Sequence, residues 1–293
     1  MKKRMLASLL LSAMVLSVGA QVASAEALES SKTTGEVGFT HGEKPGTTKP
    51  EKGPKDGEDL EDDKDKDGKP IPLPNSNGIY VTHLPNFDFG KDNKTSVKTT
   101  EYPAYTEKRT LKADESGNSD YFHMPHSVQV SDVSGNEKAT WSLSVVQDTP
   151  FTSADNSTLP NSRIRIFGNT FTNSLHDDVT LAEKITGVGL NTTDKDFGSH
   201  SAIPVKGAEE GELTVLKSTV AGFTNASTTS AVFSDGYLAE DYNPEKTKET
   251  ATYDGVKLNV PAGDQAKAKE YTTKLTWTLI VEPGASESEP SEQ

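Results

Sequence analysis

The chain has 293 residues, no cysteine and a formal net charge of −14. A chain this acidic is repelled by nucleic-acid phosphates and by anionic lipid surfaces, which argues against a nucleic-acid partner. The lack of cysteine excludes disulfides, thiolate zinc sites and thiol catalysis.

The first 25 residues have the pattern of a secretory signal peptide. Residues 2–4 form a basic n-region, residues 5–18 form an apolar h-region, and Ala23-Ser24-Ala25 is a small-residue cleavage site. The apolar run is shorter than the roughly 20 residues that a bilayer-spanning helix needs. We therefore expect a secreted, extracellular protein that does not span the membrane and whose mature form begins at Glu26.

Residues 26–77 are predicted to be a disordered acidic linker. The segment contains several Lys-Pro and Gly-Pro pairs, an acidic run over residues 58–67, and a proline-rich end at residues 70–74. A segment this poor in apolar residues does not bury enough surface to offset the entropy of ordering. Residues 284–293 are predicted to be a flexible acidic tail. Because they carry no covalent sorting motif, we expect retention at the cell surface to come from binding.

Residues 78–283 have the pattern of an all-β domain. Short alternating runs rich in Val, Ile, Thr and Trp are separated by Gly, Asn, Asp, Ser and Pro. We predict strands at residues 79–84, 127–131, 139–146, 163–167, 213–216, 256–260 and 272–281, with one short turn at residues 265–271. Many short strands with turn signals indicate an antiparallel β-sandwich or a barrel-like, Greek-key-type domain.

Both tryptophans of the chain lie in Trp-x-Leu tracts on predicted strands. Residues two apart on a strand share a face, so Trp141 lies on the same face as Leu143, and Trp277 on the same face as Leu279. Two interpretations are open. The apolar faces are core anchors of half-buried strands, or they form an exposed aromatic patch that contacts a ligand or partner.

These two tracts and their flanking segments resemble the WxL-domain surface proteins of low-GC Gram-positive bacteria of the Enterococcus, Lactobacillus and Listeria type. The resemblance covers nearly the whole mature chain, and the tract close to the C-terminus is its most specific part. The matching segments are Gly35-Glu36-Val37-Gly38-Phe39-Thr40, Leu84-Pro85-Asn86-Phe87-Asp88-Phe89-Gly90, Ser127-Val128-Gln129-Val130-Ser131-Asp132, Trp141-Ser142-Leu143, Leu258-Asn259-Val260-Pro261-Ala262-Gly263 and Tyr271-Thr272-Thr273-Lys274-Leu275-Thr276-Trp277-Thr278-Leu279.

The resemblance implies a non-catalytic surface protein that associates non-covalently with peptidoglycan in the cell wall. It also implies complexes with membrane-anchored WxL-interacting proteins and with other WxL surface proteins. By the same resemblance, the ligand- or partner-binding residues are Trp141, Leu143, Trp277 and Leu279. The alternative is an adhesin or complex subunit that binds host extracellular matrix or a membrane-anchored WxL-interacting protein, and does not bind peptidoglycan directly.

Other chemistry has weak support in the sequence. Residues 63–68 match the first half of an EF-hand loop, but Pro74 occupies the position of the essential twelfth ligand. His123 and His126 flank a proline and have no third metal ligand at a suitable spacing. We find no nucleophile elbow, and choosing a pair of glycosidase carboxylates among 44 acidic residues would be arbitrary. We therefore predict no catalytic residue, no metal and no cofactor.

Overall fold

Strands dominate the part of the chain that the structure, a computed structural model, describes. This part comprises residues 37–51, 58–64, 73–114, 116–117, 120–188, 201–209, 211–238 and 251–282. The predicted signal peptide and the predicted C-terminal tail lie outside it. The described residues from Phe39 onward belong to one compact unit.

The strands are short, and a single α-helix interrupts them within the described residues. The elements are β1 (Asn75–Ser76), β2 (Ile79–His83), β3 (Thr100–Tyr105), β4 (Glu107–Thr110), β5 (Tyr121–Met124), β6 (Ser127–Asp132), β7 (Thr140–Gln147), β8 (Phe151–Thr152), β9 (Thr158–Leu159), β10 (Arg163–Ile166), β11 (Thr170–Asn173), α1 (Asp178–Lys184), β12 (Ile185–Gly187), β13 (Ser201–Ala202), β14 (Leu213–Ser218), β15 (Ser227–Val232), β16 (Thr252–Val260) and β17 (Leu275–Glu282).

Most of the strands belong to three larger sheets. Their strand orders are β1-β2-β6-β15-β11, β13-β10-β16-β3 and β12-β14-β7-β17, and two small hairpins pair β4 with β5 and β8 with β9. Every pairing between these strands is antiparallel. The prediction of an all-β, antiparallel fold is confirmed, and within the described residues the sheets are open rather than closed into a barrel.

All three larger sheets turn apolar faces toward one core. The middle sheet positions are filled by β-branched and aliphatic residues with almost no exposed surface, among them Ile79, Val130, Leu143, Ile164 and Val256. Fully burying one such side chain contributes about 1.5–3 kcal/mol to folding. This shared core explains how a chain without disulfides holds many short strands together.

The seven predicted strands are all present, with ends shifted by at most four residues. They correspond to β2, β6, β7, β10, β14, β16 and β17. The predicted short turn at residues 265–271 forms no helix. One turn of 3₁₀ helix, Ala262–Asp264, lies just before it, and Gln265 then adopts a left-handed conformation that ends the turn.

Two described stretches of the predicted linker make contacts with the β-domain. In residues 37–51, the buried Thr47 hydroxyl donates to the Thr82 carbonyl at 2.6 Å, and Thr48 exchanges two hydrogen bonds with the Gln129 amide at 3.0 and 2.8 Å. In residues 58–64, the Leu60 side chain is buried against β5. Tertiary contacts therefore order a segment whose composition alone favours disorder.

A cluster of four charged side chains also ties residues 58–64 to the domain. Asp63 accepts from His83 Nδ1 at 2.8 Å and from Arg109 Nη1 at 2.8 Å, and Glu107 lies 3.1 Å from His83 Nε2. Side-chain exposure is 3 % for His83 and 5 % for Arg109. Two carboxylates thus face two cations, which balances the buried charge.

The pKa values in this cluster follow from the balance between burial and neighbouring charge. Burial would raise the pKa values of Asp63 and Glu107, but the nearby His83 and Arg109 outweigh it and hold both below their usual range. Burial and Arg109 act to lower the pKa of His83, yet the two carboxylates raise it above its usual value. The folded state therefore favours a charged His83.

Candidate functional site

The two Trp-x-Leu strands are direct neighbours in one sheet. In the antiparallel pairing of β7 with β17, Leu143 lies opposite Leu279, Trp141 opposite Val281, and Trp277 opposite Val145. The two leucines therefore meet at the centre of the pairing and the two tryptophans lie toward opposite ends. The structure thus brings together all four residues that the family resemblance singled out.

The proximal tract, on β7, is part of the core. β7 lies between β14 and β17, and the exposed fraction is 1 % for Trp141 and 0 % for Leu143. The Trp141 indole N–H donates to Thr224 Oγ1 at 2.9 Å, and this hydroxyl donates to Asp132 at 2.8 Å. Both side chains are buried, in agreement with the interpretation as core anchors, and their role in binding stays a prediction.

The distal tract, on β17, has a different environment because β17 is at the edge of its sheet. Trp277 and Leu279 pack against the core but are only partly buried. Trp277 lines a cleft of about 760 Å³, whereas Leu279 does not reach it. An identical three-residue pattern therefore gives one buried and one accessible tryptophan, according to the position of the strand in the sheet.

We call this cavity the motif cleft, because three of the segments that resemble the family form its walls. These are the loop at residues 84–91, the end of β16 and the loop that leads into β17. Its floor is apolar and buried, formed by Phe151, Leu159 and Ile164. Its side walls are partly buried aromatic and aliphatic residues, namely Phe87, Phe89, Tyr102, Leu258, Tyr271, Leu275 and Trp277.

The turn at residues 88–90 holds one aromatic wall of the motif cleft. Asp88 Oδ1 accepts from the Gly90 N–H at 2.8 Å, and the Asp88 carbonyl accepts from the Tyr105 N–H at 2.8 Å. Gly90 has φ of 79°, and a Cβ there would approach the Tyr105 hydroxyl to 2.7 Å. Only glycine fits this turn, which explains the glycine in the Phe-Asp-Phe-Gly tract.

A buried histidine fixes the same wall from behind. His126 contacts the Asn86 carbonyl through Nε2 at 2.9 Å and the Tyr253 hydroxyl through Nδ1 at 2.7 Å. The Phe87 ring packs on the imidazole at 4.8 Å between ring centres. Burial lowers the pKa of His126, which favours the neutral ring. His126 thus helps to hold the wall of the motif cleft in place.

The opposite wall is held by backbone and carboxylate contacts. The buried Asp264 carboxylate accepts from the Asn161 N–H at 3.1 Å and from the Ser162 hydroxyl at 2.7 Å. Thr272 and Thr152 exchange backbone hydrogen bonds at 2.8 and 3.0 Å. At the rim, Lys91 pairs with Glu270 at 3.1 Å, joining the two loops that face each other. The cleft is therefore formed by well-anchored walls.

Site residues at positions other than the two Trp-x-Leu tracts were not singled out from the sequence. Phe87, Phe89 and Tyr271 lie in segments that carry the family resemblance, and this was the available signal. Among the residues that the structure describes, no three His, Asp or Glu side chains come together as metal ligands. Asp63, in the partial EF-hand pattern, is instead bound to His83 and Arg109.

A family model described as "WxL domain surface cell wall-binding" matches residues 26–283. No curated protein and no solved structure is significantly similar to the chain. In the described part of the chain, no helix has the length and apolarity to cross a bilayer.

Proposed function

Because the chain belongs to the WxL family of surface proteins that bind the cell wall, we propose that it attaches non-covalently to peptidoglycan through the motif cleft and acts without catalysis. The observation that carries the proposal is the position of Trp277. Its side chain lines a large cleft formed by three family segments, and it is the accessible member of the tryptophan pair.

The chemistry of the motif cleft suits a sugar chain. Pyranose rings have an apolar face and a polar rim, and aromatic side chains combine a large apolar surface with specific geometry. The cleft presents Trp277, Tyr271 and Phe89 with amide and charged groups around them. Its volume of about 760 Å³ lies within the range of about 300–1,000 Å³ typical of ligand pockets.

The net charge of the chain favours binding through short-range contacts. The chain carries −14, and loss of the three basic residues in the predicted leader would make it −17. Anionic wall polymers repel such a protein over distances up to the screening length, about 8 Å at physiological salt. Attachment must therefore come from local stacking and hydrogen bonds rather than from general charge attraction.

We expect Trp277→Ala to abolish most binding of the mature protein to purified peptidoglycan sacculi, because truncating a central aromatic anchor typically costs about 2 kcal/mol or more. The measurement is a sedimentation assay in which the protein from residue 26 onward is spun down with the sacculi. Folding of each variant is checked by near-UV circular dichroism. Ile280→Ala is the matched control, since Ile280 lies on β17 but is exposed and does not line the cleft. Equal binding by folded Trp277→Ala and wild type would contradict the proposal.

A second candidate function, binding to a membrane-anchored WxL-interacting protein or another WxL surface protein, is favoured by the free edge of β17. The Asp148 N–H donates to the Lys274 carbonyl, so alternate residues after Lys274 point their backbone groups toward β7. The N–H and C=O groups of Trp277, Leu279 and Val281 therefore face outward, and no described strand pairs with them. Such an edge accepts an added strand from a partner. Folded wild type that ignores sacculi but binds a purified partner would favour this function.

A further inference from the structure

β17 is the longest edge strand of the three larger sheets in the described part of the chain. It has eight residues, whereas the other edge strands, β1, β3, β11, β12 and β13, have two to six. The next longest, β3, contains Pro103 and pairs with β16 in an irregular register. Long edges tend to pair with another chain, and proteins usually prevent this with short strands, proline, lysine or a bulge.

None of these protective features occurs within β17. Its residues, Leu275–Glu282, include no proline, lysine or glycine, and its pairing with β7 runs over eight residue pairs without a bulge. The backbone groups of Trp277, Leu279 and Val281 face away from β7. No strand in the described ranges pairs with them. β17 therefore presents an open, regular edge to a partner strand.

The fold itself shows which kind of strand β17 pairs with. On its inner edge, β7 places Leu143 opposite Leu279 and Trp141 opposite Val281. Both strands have the sequence Trp-x-Leu-x-Val. A second copy of β17, antiparallel and centred on Leu279, would therefore repeat the same oppositions, leucine to leucine and tryptophan to valine.

The ends of the strand are also compatible with this register. It places Thr276 of one copy opposite Glu282 of the other, just as Thr140 lies opposite Glu282 within the chain. Like charges directly opposite each other destabilise a strand pair, and none arise here. The edge is thus complementary to itself.

We propose that β17 pairs with β17 of a second copy of this chain about a two-fold axis at Leu279. The two four-stranded sheets would then form one sheet of eight strands. Trp277 would exchange two backbone hydrogen bonds with Val281 of the other copy, and the two Leu279 residues would do the same. This inference rests on the second candidate function, to which it assigns the partner. Attachment through the motif cleft does not depend on it.

Sedimentation velocity of the mature protein over a wide concentration range tests the pairing. We expect a reversible dimer that tightens with added salt, because salt screens the repulsion between two acidic copies. Ile280→Lys should weaken the dimer about tenfold, because the two new cations would meet diagonally across the two-fold axis. Ile280 is half exposed on the outer face of β17, so the fold should tolerate the substitution.

Val179→Lys is the matched control and should leave the dimer unchanged. It adds the same charge at an exposed apolar position on α1, which precedes β12 at the opposite edge of the sheet. A spin label on Glu282→Cys tests the register, since the natural chain has no cysteine. The proposed register separates the two labelled Cα atoms by six residues along the strands, about 20 Å.

A protein that stays monomeric at every concentration and salt level would overturn the self-pairing. It would leave the edge of β17 to a different protein and would not affect the motif cleft. A dimer equally sensitive to both lysine substitutions would form through another surface and would also overturn it. Labels separated by a distance far from about 20 Å would overturn the register.

Discussion

Trp141→Ala is expected to lower the free energy of unfolding by about 3–5 kcal/mol, the usual cost of truncating a buried aromatic residue. Trp141 has 1 % of its surface exposed, and its indole N–H is the donor that satisfies Thr224. Removing the ring leaves a cavity beside β14 and a buried polar contact without its partner. Urea unfolding followed by circular dichroism measures the change.

Trp277→Ala is the natural comparison for that result. Trp277 is only partly buried on an edge strand, so its truncation should cost less than about 2 kcal/mol. Trp141→Ala should therefore lose binding because it is destabilised, whereas Trp277→Ala should stay folded and lose its contact with the ligand. Equal destabilisation by the two substitutions would contradict the assignment of separate roles.

Arg109→Met is expected to lower the free energy of unfolding by about 3–5 kcal/mol, because it leaves Asp63 and Glu107 with one buried cation between them. Limited proteolysis should then cut residues 58–64 faster, since Asp63 loses one of its anchors. Lys64→Met is the control. It removes a cation from the same segment, but its pair with Glu61 is exposed and worth at most about 1 kcal/mol. An Arg109→Met protein as stable as this control would refute the role of the cluster.

The same cluster predicts a pH window. The raised pKa of His83 stabilises the fold below its usual value of 6.5, and this contribution is lost as pH rises through the folded value. The lowered pKa values of Asp63 and Glu107 stabilise the fold at pH values above the usual pKa values of 3.8 and 4.5. This contribution is lost as pH falls through the folded-state pKa values. The stability that the cluster contributes is therefore greatest between about pH 4.5 and 6.5. Unfolding curves of wild type and a His83→Gln variant should differ most in that range, because His83 is then charged and both carboxylates are ionised.

The strands with strict alternation of apolar residues could be predicted from the sequence, because their periodicity reports a buried and an exposed face. β15 could not, since its residues, Ser227–Val232, are mostly hydroxyl-bearing. It lies between β6 and β11, where its buried hydroxyl groups form hydrogen bonds. For example, the Asn173 side-chain amide donates to Thr229 Oγ1 at 2.8 Å. Such a strand is stabilised by hydrogen bonds between segments that are far apart in the chain. The local sequence pattern carries no information about these bonds.

The order of residues 58–64 has a similar origin. Their acidic composition favours disorder, and only the folded domain supplies His83 and Arg109 as partners for Asp63. The candidate site shows the same limit. The sequence placed Trp141 and Trp277 in similar Trp-x-Leu tracts and did not show which of the two is accessible. What separates them is that β7 is internal and β17 is at the sheet edge, a consequence of strand order.

The central claim, that Trp277 contacts the wall polymer, is tested most directly by its own fluorescence. The chain has two tryptophans, so Trp141→Phe leaves Trp277 as the single indole reporter. Titration with soluble peptidoglycan fragments should change the intensity and wavelength of its emission in a saturable way. The Trp277→Phe protein, which retains only the buried Trp141, should show no change. Fragments that bind by calorimetry while the emission of Trp277 stays constant would contradict the account.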